Sequence, residues 1–187
     1  MRNHKLFWGS SYDRGLDILL DLWPKVIEKF PDAELHICYG WNLFIKGYRD
    51  NPERMKWMDK MTKKMRLKGI HHYGRVNKAI LKQIRSKCGI WAYPTSFTEI
   101  NCITALESQY DGLVPVTMSL AALKETVGSG TKVEGDIFDY GIKEKWLEEL
   151  FRYMSDEELW KKESEKAHEF AKDYGWDKIS DLWLKEI

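Results

Sequence analysis

Short apolar runs alternate with longer amphipathic segments along most of this 187-residue chain. The runs are rich in aliphatic and aromatic residues and have the length of buried strands, whereas the segments between them have helical spacing. Strands that alternate with helices predict a doubly wound parallel sheet, because each helix returns the chain to the edge where the next strand begins. The predicted fold class is therefore α/β, with about six strands, helices on both faces and a helical C-terminal segment. The predicted strands are Leu6–Gly9, Ala33–Tyr39, Ile70–Tyr73, Gly89–Tyr93, Leu113–Thr117 and Thr131–Val133.

The helical segments differ in how clearly their pattern defines them. The first, from about Arg14 to Phe30, has an apolar face at helical spacing, and Pro24 predicts a kink or a local break within it. Residues 41–51 have no clear period and are interpreted as an insertion near the ligand face. From Lys143 to the end of the chain the pattern is helical again, broken near Ser155-Asp156 and Tyr174-Gly175. The remaining predicted helices are Pro52–Lys68, Asn77–Lys87, Ile103–Tyr110 and Leu120–Val127.

Composition and charge exclude several classes of protein. Hydrophobic residues make up 43% of the chain and charged residues 32%, with a net charge of +1, which predicts one globular domain over residues 1–187. A nearly neutral chain does not suit nucleic acid, which is held mainly through its phosphates. The sequence has no apolar run long enough to span a bilayer, no signal-peptide pattern and no CxxC pair among its three cysteines. A cytoplasmic location is therefore expected.

The predicted helix 52–68 carries methionines along one face and Lys and Arg residues elsewhere. We interpret it as a helix that packs on the sheet and exposes a basic face to solvent. The alternative is a peripheral contact with anionic membrane lipids through that basic face.

Two carboxylates, Glu99 and Glu107, are separated by seven residues at a strand–loop–helix junction. Glu99 follows a predicted strand and Glu107 lies one to two turns into the next helix, at the sheet edge where open α/β sheets bind ligands. Glu107 is expected to be buried, with either a ribose diol or a nearby Lys or Arg as its partner. The helix N-terminus suits phosphate, and the carboxylates suit hydroxyl groups. A nucleotide sugar offers both chemistries.

Several segments of the chain, in the same order, are similar to those of one enzyme family. Around the two glutamates they are Pro94-Thr95-Ser96, Gly112 and Pro115-Val116, and elsewhere they are Gly9–Gly40, His71–Val76, Ala121–Val127 and Tyr174–Asp177. Together they resemble the C-terminal, donor-binding domain of retaining glycosyltransferases with the two-domain GT-B architecture, of the glycosyl transferases group 1 type. The resemblance implies that the predicted sheet is Rossmann-like.

The resemblance also implies roles for individual residues. Glu99 and Arg14 are implied to be catalytic: Glu99 would contact hydroxyls of the donor sugar, and Arg14 would neutralise the diphosphate leaving group. Glu107 would bind the ribose, and the turn after the third strand would hold the base. The other residues implied to bind the donor are Ser10, Gly74, Arg75, Val76, Ile100, Asn101, Cys102, Ile103 and Thr104.

At two positions the chain departs from the family pattern. Cys102 stands where the family usually has a glycine, and Ser10 stands where it often has a second basic residue. Cys102 is interpreted as a small buried thiol rather than a nucleophile, since no histidine lies near it in sequence.

The implied reaction is transfer of a hexose from a nucleotide sugar to an acceptor with retention of configuration. No metal and no other cofactor is expected, because the relevant place has no DxD motif and His71-His72 does not form an HxH or HExxH pattern. The expected partners are the donor and an N-terminal acceptor-binding domain or separate subunit. Because that acceptor side is missing from the 187 residues, the chain alone is expected to transfer little or no sugar.

Other functions remain as alternatives. The main one is a non-catalytic nucleotide-sugar-binding or regulatory module with a degenerate site, which Ser10 and Cys102 favour. An NAD-dependent enzyme is disfavoured because no GxGxxG follows the first strand, and a receiver domain because the strand ends carry no acidic cluster.

Overall fold

The computed structural model of the protein describes residues 1–186, which contain one six-stranded sheet in the order β3-β2-β1-β4-β5-β6. Every neighbouring pair of strands is parallel. This arrangement confirms the predicted α/β class and the doubly wound, Rossmann-like sheet. The strands are β1 (Lys5–Trp8), β2 (Glu34–Cys38), β3 (Ile70–Gly74), β4 (Ile90–Tyr93), β5 (Val114–Met118) and β6 (Thr131–Val133).

Helices connect the strands and form the C-terminal segment. A short 3-10 turn, Tyr12–Arg14, precedes the first of them. The helices are α1 (Leu16–Lys29), α2 (Asn42–Tyr48), α3 (Pro52–Lys64), α4 (Lys78–Arg85), α5 (Ile103–Tyr110), α6 (Leu123–Thr126), α7 (Tyr140–Ser155), α8 (Glu157–Lys172) and α9 (Trp176–Glu186).

Some helix boundaries differ from those predicted. Helix α1 runs through Pro24 without a break, because Trp23 and Val26 beside it are fully buried and hold the segment against the sheet. Helix α3 ends at Lys64 rather than Lys68, since the chain must turn there to enter β3. The helical C-terminal segment begins at Tyr140 rather than Lys143, and α7 and α8 end near the two predicted breaks. Ile187, the last residue of the predicted segment, lies outside the described residues.

The missed helix α2 lies within the segment 41–51 that was interpreted as an irregular insertion. Its N-cap, Trp41, packs edge-to-face against Tyr12 and Trp57, with ring centroids 4.5 and 5.8 Å apart. None of the α2 residues is fully buried. The segment therefore has no apolar period that sequence analysis detects, and aromatic contacts anchor it instead.

Large aromatic side chains fill the core on both faces of the sheet, among them Trp8, Trp91 and Trp146, which are fully buried. Met61 of α3 and its C-cap Met65 are buried in the hydrophobic core, whereas Met55 and Met58 are half-buried, so the methionine face is the inward one. Among residues 1–186, no helix is both long enough and apolar enough to cross a membrane.

Candidate functional site: the carboxyl edge of the sheet

The strand order reverses between β1 and β4, which lie side by side in the sheet. Strands β2 and β3 extend the sheet on one side of this point, and β5 and β6 on the other. The loops that leave the carboxyl ends of the two central strands diverge at such a reversal and form a crevice for a ligand. Here these loops are residues 9–15 and 94–102.

The loop after β1 is held against three other strands. The Gly40 N–H donates to the Tyr12 hydroxyl at 2.7 Å, and that hydroxyl lies 2.7 Å from His72 Nε2. Burial raises the pKa of Tyr12 to about 12, so the hydroxyl stays protonated at neutral pH. Gly15 has a φ of 109°, and a Cβ there would lie 2.4 Å from the Pro94 carbonyl oxygen. This packing fixes the position of Arg14, which lies between Tyr12 and Gly15 in sequence.

Arg14 and Glu99, the two predicted catalytic residues, contact each other. Arg14 Nη1 donates to both carboxylate oxygens of Glu99, at 3.1 and 3.2 Å, and the Tyr93 hydroxyl donates to Glu99 Oε1 at 2.7 Å. The Glu99 side chain is 5% exposed, whereas that of Arg14 is 35% exposed. A buried carboxylate is therefore held by two donors, and the guanidinium above it reaches solvent.

Burial and neighbouring charges set the pKa values of Arg14 and Tyr93. Burial, the largest single effect, acts to lower the pKa of Arg14, but the charges and hydrogen bonds of Glu99 and Tyr93 together outweigh it and raise the pKa overall. Burial, followed by the hydrogen bond and charge of Glu99, also raises the pKa of Tyr93. At neutral pH Arg14 is a cation and Tyr93 a neutral donor. A positive charge thus remains at the solvent edge of the crevice.

Sequence analysis missed two aromatic residues of this group. Tyr93, the last residue of β4, donates to Glu99, and the Phe97 ring lies 4.1 Å from the Arg14 guanidinium carbon. A cation over an aromatic face is favourable, so Phe97 helps to orient Arg14. Both residues lie within six positions of Glu99 in sequence. For Tyr93, the sequence contained a signal, namely a polar aromatic residue at the end of a buried strand.

The N-terminus of α5 lies beside this pair. Its N-cap is Cys102, whose side chain forms no capping hydrogen bond, and the first N–H groups of a helix have no partner within the helix. The Thr104 methyl lies 3.4 Å from the position that a Cβ would take at Gly9, so the end of β1 and the first turn of α5 are adjacent. An anion at this place would meet backbone N–H groups and Arg14 together.

Of the other residues predicted to bind the donor, Ile100, Asn101 and Ile103 near the helix start are exposed. Ser10, in the loop after β1, is buried. Cys102 is 3% exposed, and burial, followed by the charge of Glu99, raises the pKa of its thiol to about 12. Cys102 is therefore buried, as interpreted, and its thiol is protonated at neutral pH.

A pocket of about 200 Å³ opens at the ends of β1, β2 and β3. The predicted base-binding residues Arg75 and Val76 are part of its wall, together with Gly9 at the end of β1. Gly74 precedes them with a φ of 66° and has open space around its Cα. The other lining residues are Cys38, Tyr39, Leu43 and Leu81.

The prediction that Glu107 is buried is wrong. Its side chain is 45% exposed rather than buried, and its carboxylate accepts a hydrogen bond from Arg85 at 2.5 Å. Arg85 itself is 8% exposed and also donates to Asp111 at 2.7 Å. Because Leu81 and Arg85 are four residues apart on α4, Glu107 contacts the same helix face that lines the pocket one turn earlier.

Comparison with known proteins identifies the family. The model of the family described as Glycosyl transferases group 1 matches residues 10–172, which include all the predicted site residues. The chain belongs to this family. No curated protein matches the chain significantly.

Solved structures of similar fold are glycosyltransferases with low sequence identity. The GtfA/B complex has a TM-score of 0.78 at 14% identity and covers 98% of this chain, and the pneumococcal O-GlcNAc transferase GtfA, solved with UDP and GlcNAc, has 0.74 at 14% over 99%. Sucrose-phosphate synthase from Thermosynechococcus elongatus has 0.71 at 14% over 97%. This chain spans only 35%, 35% and 44% of those proteins, respectively. They share its fold, and it corresponds to one part of them.

The tight packing around Gly15 predicts that even an alanine at this position destabilises the protein. Gly15→Ala is expected to lower the free energy of unfolding by about 1–3 kcal/mol or more, because a side chain is strained at this φ and the new methyl group meets the Pro94 carbonyl. Urea denaturation followed by tryptophan fluorescence measures the change. The control is Gly47→Ala, which lies within α2 with open space around it and should be neutral or stabilising by about 0.5–1 kcal/mol. Equal stability of the two variants would contradict the tight contact.

Proposed function

We propose that this chain is the donor-binding domain of a glycosyltransferase that moves a hexose from a nucleoside diphosphate sugar to an acceptor, with retention of configuration. The observation that carries the proposal is the Arg14–Glu99 pair at the strand-order reversal, beside the first turn of α5. The cation and the backbone N–H groups there suit a diphosphate, and the carboxylate suits sugar hydroxyls.

The proposed donor lies along the carboxyl edge of the sheet. Its base occupies the pocket beside Arg75 and Val76, and its diphosphate lies between Arg14 and the first turn of α5. For Glu99, which is 5% exposed beneath Arg14, to accept hydrogen bonds from the hexose, the Arg14 guanidinium must turn toward the diphosphate. For Glu107 to reach the ribose, its carboxylate must exchange Arg85 for the diol, which its 45% exposure allows.

In this arrangement catalysis is electrostatic. When the bond between the hexose and the diphosphate breaks, negative charge grows on the departing phosphate, and Arg14 and the α5 N–H groups stabilise it without a metal ion. Glu99 orients the sugar by accepting hydrogen bonds from its hydroxyls. An acceptor-binding domain or separate subunit has to cover the same edge, and the chain alone is therefore expected to transfer little or no sugar.

The alternative is a non-catalytic module that binds nucleotide sugars or regulates a partner. One observation favours it: Arg14 is already paired with Glu99, and Ser10 supplies no second cation. The positive charge available to a diphosphate is therefore smaller than in family members that have a second basic residue at the position of Ser10.

Titration of the 187-residue chain with UDP-, GDP- and ADP-sugars, by calorimetry and thermal shift, tests the proposal. One nucleotide class should bind, and Glu107→Ala should weaken that binding by about 10–100-fold, the worth of hydrogen bonds to a charged group. The control is Glu148→Ala, an exposed glutamate on α7, which should change nothing. Failure of every nucleotide sugar to bind the folded chain would favour a regulatory module with a degenerate site, or a site that only the acceptor-binding side completes.

A further inference from the structure

Three potential metal ligands lie together on one face of β2 and β3, apart from the donor site. Glu34 and His36 are two residues apart on β2 and so face the same side of the sheet. The strand register places His71 of β3 directly opposite His36. The register of the sheet thus brings together residues that are far apart in sequence.

The distances within this cluster suit a single ion. Glu34 Oε2 lies 2.9 Å from His36 Nε2 and 3.9 Å from His71 Nε2, and one ligand atom from each residue can be chosen so that all three lie within 4.8 Å of one another. Tetrahedral zinc ligands at about 2.0–2.1 Å from the ion are about 3.3 Å apart. The two imidazole rings are stacked, with centroids 4.9 Å apart. Small side-chain movements bring the three atoms to that spacing.

A neighbouring hydroxyl orients one of the three ligands. The Tyr73 hydroxyl lies 2.9 Å from His36 Nδ1, which leaves Nε2 directed at Glu34, in the way that outer partners orient metal-binding histidines.

One further group competes for the carboxylate. Lys5 Nζ donates to Glu34 Oε2 at 3.0 Å, so three nitrogen atoms converge on one oxygen. The Lys5 side chain is 34% exposed and can turn into solvent. His71, on the edge strand β3, is 47% exposed, which leaves a path for an ion and a place for a water ligand.

We propose that Glu34, His36 and His71 bind a divalent transition ion of the Zn²⁺ class, with water as the fourth ligand. Two imidazoles and one carboxylate favour such an ion over Mg²⁺ or Ca²⁺, which prefer oxygen ligands alone. The ion joins the edge strand β3 to β2 and stabilises the strand that leads into the base-binding turn. This proposal departs from the sequence-based expectation of no metal, because ligands divided between two strands form no HxH or HExxH pattern.

The test uses the full 187-residue chain, freed of metal by a chelator and titrated with ZnCl₂ and, in parallel, CoCl₂. One Zn²⁺ should bind per chain and raise the unfolding temperature by about 5–10 °C once its free concentration is about 100-fold above Kd. Cobalt should give the visible absorption of a four-coordinate ion. MgCl₂ and CaCl₂ should produce no thermal shift.

Two variants assign the site. His71→Ala removes a half-exposed ligand and should weaken Zn²⁺ binding by at least about 100-fold, since even the loss of an outer-sphere partner costs about 10–100-fold. The matched control His72→Ala changes the next residue of β3, whose side chain faces the other side of the sheet, and should leave Zn²⁺ affinity unchanged. Binding that survives His71→Ala, or that is lost equally in both variants, would overturn the proposal. Neither result depends on nucleotide-sugar binding.

Discussion

Replacing Arg85 with alanine is expected to lower the free energy of unfolding by about 3–5 kcal/mol, the usual cost of removing one partner from a buried ion pair. Arg85 joins α4 to α5 and to the turn that follows it, through hydrogen bonds to Glu107 and Asp111. The Asp111 side chain is 6% exposed, so the variant leaves a buried carboxylate without its donor. Arg2 lies nearby and already donates to the Asp111 carbonyl, which places the effect toward the lower end of this range.

Guanidinium chloride denaturation of the wild type and three variants isolates this effect. Glu107→Gln is the matched control, since Glu107 is 45% exposed and solvent screens its pair with Arg85 to about 1 kcal/mol or less. A double variant, Arg85→Met with Asp111→Leu, should recover much of the lost stability, because no charge remains unpaired. A loss below about 1 kcal/mol for Arg85→Ala would show that Asp111 finds water or another donor, and the pair would then have no structural role.

The fold was predictable to the extent that burial imposes a period on the sequence. The central strands are apolar on both faces, so β4 and β5 were predicted to within one residue at either end. Helix α2 was not predicted, because its apolar residues Leu43 and Ile45 are exposed and follow no helical stripe. Where side chains are not selected for burial, the pattern contains no signal.

The candidate site was predictable residue by residue but not in its contacts. Arg14 and Glu99 were each assigned a role, yet they are 85 residues apart and meet only because β1 lies next to β4. The burial of Glu107 was predicted wrongly, since buried residues beside it on α5 do not fix which way one side chain on an eight-residue helix faces. The predicted alternative partner, a Lys or Arg, is the one present, namely Arg85.

The second large effect is expected in donor binding and has opposite signs for the two members of the Arg14–Glu99 pair. Arg14→Ala should weaken the affinity for a nucleoside diphosphate by about 10–150-fold, the equivalent of one charged hydrogen bond of about 1.5–3 kcal/mol. Glu99→Ala should instead leave that affinity unchanged or strengthen it, because Arg14 is released from the carboxylate that accepts its hydrogen bonds. For the complete nucleotide sugar both variants should bind more weakly, since Glu99 is the proposed acceptor for the sugar hydroxyls.

Three ligands of one nucleotide class separate these contributions by calorimetry: the nucleoside, its diphosphate and the nucleotide sugar. The nucleoside has neither a phosphate nor the hexose and should bind all variants equally, which controls for damage to the base pocket. The double variant should show strong coupling, because each single substitution changes the state of the remaining partner. A pair that serves stability alone would give the opposite pattern. Both single variants would then unfold more easily and lose affinity for all three ligands by the same factor, and the sign difference for the diphosphate would be absent.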